Sequence, residues 1–157
     1  MMEKELDLKT WVMTTGSRGL HVEVPLDTKA EFETVREFAK GVAKPVASRH
    51  PDDFTTETHK KKRKGRLFLD YLRNSYAQTS VAPYFLRGRP GAPIATPLSW
   101  DEVGRKPLNA RSYTISNIFR RLARKDDPWL DIDRNPQSLE SASEILTSLL
   151  PEILNQD

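Results

Sequence analysis

The chain has 157 residues, 25 Lys and Arg against 22 Asp and Glu for a formal net charge of +3, and no cysteine. That length is enough for a single domain spanning 1–157 with its own hydrophobic core. The missing thiols exclude disulfides and thiolate metal sites, and no apolar run reaches the length of a membrane-crossing helix, so a cytoplasmic protein with no membrane partner is expected. The charge is unevenly spread: Lys60, Lys61, Lys62, Arg63, Lys64, Arg66, Arg73, Arg87 and Arg89 surround one acid, Asp70, giving a local charge of +8, whereas the chain from 126 onward is acidic. Such asymmetry points to a polyanion bound on one face.

Residues 1–10 read as a loosely ordered lead-in. Trp11–Thr15 is rich in β-branched residues and reads as a strand, followed by the turn Gly16-Ser17-Arg18-Gly19. Leu20–Leu26 reads as a second strand, with Leu20, Val22 and Val24 on its apolar face and His21 and Glu23 on the other. Asp27 or Thr28 then caps a helix whose Phe32, Val35, Phe38, Ala39 and Val42 recur at helical spacing, bending near Pro45 and ending near His50. Residues 54–58, 66–72 and 80–86 are further strand candidates, and 94–100 is a short extended segment. Tyr113, Ile115, Ile118, Phe119 and Leu122 predict a helix over 112–125; residues 138–150 carry the last helix, ending before Pro151. Tyr84, Phe85, Trp100, Phe119 and Trp129 read as core. The order of elements predicts an α+β fold, a mostly antiparallel sheet with helices packed on one face.

A lone carboxylate in a basic field is placed to hold a divalent cation while the surrounding bases hold phosphates, the electrostatic layout of phosphoryl or nucleotidyl transfer. Three segments carry this further in order: Thr15-Gly16-Ser17-Arg18-Gly19-Leu20-His21, then Lys62 through Asn74 with Gly65-Arg66-Leu67-Phe68-Leu69-Asp70 at its centre, then Val81 through Pro93 with Arg87-Gly88-Arg89-Pro90-Gly91. Together with Asp127-Pro128-Trp129, they resemble the polymerase domain of bacterial DNA ligase D, within the archaeo-eukaryotic primase superfamily. The resemblance implies an RRM-like primase-polymerase catalytic core. It implies that Thr15, Arg18 and His21 contact the triphosphate of an incoming nucleotide, that Arg73, Arg87 and Arg89 line its phosphates and sugar, and that Asp70 is a catalytic metal ligand. It also implies Mn2+ or Mg2+ as cofactor, NTP or dNTP as substrate, and a role in DNA end joining alongside DNA ends, a DNA ligase and Ku. The cation run Lys60, Lys61, Lys62, Arg63, Lys64 and Arg66 is expected on DNA phosphates.

The departures are equally specific. The family places an Asp-x-Asp pair upstream of the Gly-rich turn, and residues 1–10 hold none. Asp131-Ile132-Asp133 has the right letters on the wrong side of Asp70. The chain is therefore expected to be the C-terminal part of such a polymerase, incomplete in its metal site and completed, where a partner exists, by a separate chain carrying Asp-x-Asp. The alternative is a non-catalytic nucleotide- or nucleic-acid-binding protein derived from one. Thr15 stands where Ser is usual and Arg18 where Lys is usual; an Arg fork grips phosphate differently from an ammonium.

Overall fold

The computed structural model describes residues 1–154. Its contacts gather into two compact units, one formed by Met1–Leu8, Leu26–Thr79 and the stretch from Gln137 on, the other by Lys9–Pro25 and Ser80–Pro136. Among the described residues no helix is long and apolar enough to cross a membrane.

The first unit begins with a single helical turn, α1 (Met2–Glu5), and Leu6 and Leu8 behind it are 1% and 3% exposed. The expected loose lead-in is thus an anchored segment, held also by Arg49, whose Nη1 donates to Glu5 at 2.8 Å. The main helix, α2 (Phe32–Arg49), is entered at Glu31, three or four residues later than expected. Asp27 instead closes a local turn by accepting the Lys29 amide at 3.3 Å. α2 buries Phe38, Ala43 and Pro45 and runs through Pro45 rather than restarting there, although a proline leaves the carbonyl one turn back without its helical donor. The helix was expected to pack on a sheet, and it does meet the strand that follows it, residues 54–55. Within its unit it meets α4 (Glu140–Leu154), which continues past the expected stop at Pro151. The contact is close because residue 41 is glycine: a Cβ there would stand 2.9 Å from Leu146 Cδ2. β3 (Phe54–Thr55) pairs in parallel with β4 (Leu67–Phe68), a ladder of two residues where seven were expected for the second strand.

The second unit is built on a three-stranded antiparallel sheet, in the order β2 (Leu20–Glu23), β1 (Trp11–Thr14), β5 (Thr96–Leu98). All four residues of β1 are buried. Trp11 and Met13 cluster with Ala95 and Trp129, and the Trp129 indole N–H donates to the Val12 carbonyl at 3.1 Å. The two threonines in the sheet satisfy themselves: the Thr96 amide donates to Thr14 Oγ1 at 3.1 Å and Thr96 Oγ1 donates to the Ile94 carbonyl at 2.9 Å. Burial of hydroxyls without such partners is costly.

Three readings are corrected in this unit. Residues 80–86 form no strand; Leu86 makes one isolated bridge to Ile94, and Tyr84 has a left-handed backbone with φ of 60°. The helix expected over 112–125 shrinks to α3 (Ile118–Leu122). Its first half is taken by side chains that bond to backbone: Asn117 Oδ1 accepts the Thr114 amide and its Nδ2 donates to the Ser112 carbonyl, both at 2.9 Å. Such bonds compete directly with a helical ladder. Of the aromatic residues read as core, Trp129 is buried, while Phe85, Trp100 and Phe119 are 57%, 44% and 69% exposed.

Candidate nucleotide-binding site

β1 and β2 are joined by the turn over residues 15–19, and its order comes from one hydroxyl. Thr15 Oγ1 donates to the Gly19 carbonyl at 2.9 Å and accepts the amides of Ser17 and Gly19 at 3.2 and 3.4 Å. The Thr15 amide closes the turn on the Gly19 carbonyl at 3.1 Å. The hydroxyl expected on a phosphate shapes the turn. Gly16 is required twice: its φ is 63°, and a Cβ would stand 2.7 Å from Arg87 Cγ and 3.3 Å from the Ala95 amide nitrogen. The amides of Gly16 and Arg18 make no hydrogen bond among the described residues, and the Arg18 side chain is exposed and likewise unpaired.

Arg87 thus lies against the turn. Its loop is tight: the Arg87 amide donates to the Pro93 carbonyl at 2.8 Å, and the Arg89 amide to the Arg87 carbonyl at 2.7 Å. Arg89 is exposed at the tip. His21 sits directly opposite Met13 and Glu23 opposite Trp11, so these two polar residues share the sheet face that carries the Trp11–Met13–Trp129 cluster. The expected sides of β2 are exchanged: Leu20 and Val22 are 42% and 52% exposed. His21 Nδ1 is buried, has no hydrogen-bond partner and stands 3.5 Å from Glu23 Oε1, an ion-pair distance but not a hydrogen bond.

Sequence reasoning passed over Arg111. Its Nε donates to the Ser17 carbonyl at 2.9 Å, so a third guanidinium reaches the turn. A cavity of about 220 Å³ opens beside it, lined by Arg18, Gly19, Leu20, Val103, Leu108 and Ala110 among others. No spacing rule links residue 111 to residue 17; only the folded chain does.

Beneath the loops of this unit lies a buried ion pair. Arg121 Nη1 and Nη2 donate to Glu102 Oε1 and Oε2 at 2.6 and 2.8 Å, and Lys125 Nζ stands 2.9 Å from Oε1. Arg121 also donates to the Tyr113 hydroxyl and the Pro97 carbonyl, both at 2.9 Å. The Arg121 hydrogen bonds hold the Glu102 carboxyl well below the usual carboxylate range, overcoming the opposing effect of burial. Burial and the Asp127 carboxylate together push the Tyr84 hydroxyl above its usual range.

The remaining expected site residues belong to the other unit. Lys60–Arg63 form a 3-10 turn. Arg63 is spent on structure, donating to the Glu57 and Thr58 carbonyls at 2.9 and 2.7 Å and stacking 4.0 Å over the Phe68 ring. Arg66 donates to the Arg63 carbonyl at 3.0 Å and to the Pro51 carbonyl at 3.3 Å. Lys60, Lys61, Lys62 and Lys64 are exposed. Asp70 lies two residues beyond β4 rather than inside a strand, and is exposed. Its Oδ1 accepts the Leu72 amide at 3.1 Å and its Oδ2 stands 3.7 Å from Arg73 Nε. Asp131, the first letter of the misplaced Asp-x-Asp, is paired with Lys9 at 3.4 Å. Among the described residues no three His, Asp or Glu side chains gather to hold a metal ion. The donors described here therefore do not fit a two-metal centre, which needs several carboxylates around ions about 3.5–4 Å apart.

An α+β chain that presents a Gly-rich basic turn, arginines closing on it and a cation run leading to a single aspartate has the character of a nucleotide-handling domain. Comparison with known proteins makes this specific. The family model described as LigD, primase-polymerase domain matches residues 2–129. The multifunctional non-homologous end joining protein LigD of Pseudomonas aeruginosa is 31% identical over 140 residues, covering 88% of this chain and 16% of that protein. The bifunctional LigD of Bacillus subtilis is 35% identical over 136 residues, covering 86% and 22%. The solved polymerase domain of Mycobacterium tuberculosis ligase D, in complex with DNA, superposes with a TM-score of 0.77 at 31% identity, covering 87% of this chain and 47% of that one. The chain belongs to the LigD primase-polymerase family. It spans under a quarter of the length of these curated relatives and just under half of the solved domain.

Proposed function

We propose that this chain supplies nucleotide- and DNA-binding surfaces of a primase-polymerase in non-homologous end joining. The observation that carries the reading is the turn at 15–19, where Gly16 admits Arg87 to van der Waals contact and Arg18 projects unpaired. Free backbone amides and guanidiniums on one turn make an anion-binding concavity. In this reading Arg18, His21, Arg87 and Arg89 take the phosphates of a nucleoside triphosphate. Thr15 acts indirectly, by holding the turn. The lysines of the 60–66 run take DNA phosphates, contacts that position a duplex or end without reading its bases. End joining and DNA come to this proposal from relatives, one named for the process and one solved with DNA. A DNA ligase and Ku are the companions, and the cytoplasm the place, that go with that role.

Manganese or magnesium supplies charge neutralisation to nucleotidyl transfer in general, but the carboxylates described here do not form such a site. The described residues are accordingly proposed to bind nucleotide and DNA, with nucleotidyl transfer needing an Asp-x-Asp pair besides them. A second reading, a purely binding protein derived from such a polymerase, draws on the engagement of Asp70 by Arg73 and the Leu72 amide. Titration with a fluorescent ATP analogue and primer extension with manganese test both. Hydrogen bonds to charged groups contribute about 1.5–3 kcal/mol, so Arg87→Ala and His21→Ala should each weaken triphosphate binding by about tenfold or more. Metal-dependent extension by the chain alone, lost in Asp70→Ala, would refute the incomplete-site part. Absence of any nucleotide or DNA binding would refute the reading as a whole.

A further inference from the structure

We propose that Arg111 is a phosphate-contacting residue of the 15–19 turn, adding a second exposed guanidinium beside Arg18 to the triphosphate site; this rests on the reading above. Arg111 reaches the Ser17 carbonyl with its Nε at 2.9 Å across 94 residues of sequence. An arginine has five donors in a planar fork. Using Nε on one edge leaves the edge formed by Nη1 and Nη2, and neither nitrogen has a partner among the described residues, where the side chain is exposed. The anchor therefore fixes the plane of the guanidinium while leaving a bidentate edge for an oxyanion, the arrangement in which an arginine loses least freedom on binding.

The backbone beneath it is also fixed. The Arg111 amide donates to Asn109 Oδ1 at 2.8 Å, the Asn109 amide to Ser112 Oγ at 2.7 Å, and Asn117 holds the Ser112 carbonyl at 2.9 Å. Asn109 and Ala110, the two residues before Arg111, line the same cavity as Arg18 and Gly19. No acid is paired with Arg18 or Arg111 among the described residues. Two unneutralised guanidiniums held at one turn repel each other, and a polyphosphate between them removes that repulsion.

The test uses inorganic tripolyphosphate as the probe, so that base contacts play no part, with a 5′-phosphorylated single-stranded oligonucleotide as the second arm. Arg111→Gln should weaken tripolyphosphate binding by about tenfold or more, and Arg111→Lys, which keeps charge but not the fork, should fall between. The oligonucleotide arm separates nucleotide phosphate from DNA phosphate: a change confined to tripolyphosphate supports the proposal, whereas a loss confined to the oligonucleotide, with the salt slope reduced by about one, assigns Arg111 to DNA and overturns it. Wild-type affinity for tripolyphosphate in a folded Arg111→Gln also overturns it, since a merely structural tie would leave the turn's charge set complete. Should that variant not fold, the Arg111 Nε–H resonance of the wild-type chain is followed during tripolyphosphate titration; an unmoved resonance refutes the contact. If wild-type chain and Arg18→Ala alike ignore tripolyphosphate, the underlying nucleotide reading fails, and this proposal with it.

Discussion

Glu102 and Arg121, each with a side chain 8% exposed, concentrate much of the charge buried in their unit. Removing one partner of such a pair leaves the other charged and dry, so Glu102→Gln should destabilise the chain by about 3–5 kcal/mol. The pH dependence has a definite sign. The folded carboxyl is depressed below its ordinary value of 4.5, so its contribution is full above that value and disappears as pH falls below it. Urea unfolding from pH 7 down to 3 should show wild type losing this stability on acidification, while Glu102→Gln starts lower and lacks that part of the decline; parallel curves would refute it. At this scale the turn was legible in the sequence because its chemistry is local: a hydroxyl at 15 and glycines at 16 and 19 specify a turn within five residues. Arg111 was not, since its meaning depends on a carbonyl far along the chain.

Elements were readable where one residue type repeats and misread where side chains bond to the backbone. α2 emerges from its apolar spacing and passes through Pro45 because that ring is fully buried and its packing outweighs one missing bond. β2 shows how alternation alone can mislead. Leu20 and Val22 look like a core face, yet the register with β1 places His21 and Glu23 beside the aromatic cluster, and alternation gives two faces without saying which is inside. The lost half of α3 has a local cause in Asn117. Asn117→Ala should cost about 1–3 kcal/mol, from two backbone groups left to find other partners. Loss of protection at the Thr114 amide in hydrogen exchange would locate the effect; an unchanged amide would show that the side chain does not hold this turn.

At the scale of the molecule, the α+β class and the antiparallel sheet follow from element order, and the family follows from motifs kept in sequence through residue 129. Strand lengths do not follow: two-residue ladders such as β3 with β4 leave no periodic signal to count. The lysines at 60, 61, 62 and 64 are exposed, and the proposed function sets them on DNA phosphates. Each lysine on a phosphate adds about 0.7–0.9 to the slope of log affinity against log salt. Replacing all four with glutamine should therefore flatten that slope for DNA and weaken binding alike for every sequence tested. Replacing Arg63 or Arg66 should act through stability, because both are already bound to carbonyls. An unaltered slope in the four-lysine variant would remove the run from the interface.

The closeness of Gly16 to Arg87 has a consequence for how this site can vary. The space that a methyl group would need at residue 16 is filled by the Arg87 stem, 2.7 Å away, so the two positions share one volume and are not free to change separately. Gly16→Ala should be harmful while Arg87 is present, and part of that harm should vanish in the Gly16→Ala/Arg87→Ala pair, a non-additivity of about 0.5–3 kcal/mol. The part that remains is the left-handed backbone, which no change at 87 relieves. A thermodynamic cycle over the four proteins would separate crowding from torsion, and a pair that adds without coupling would mean the stem simply swings aside.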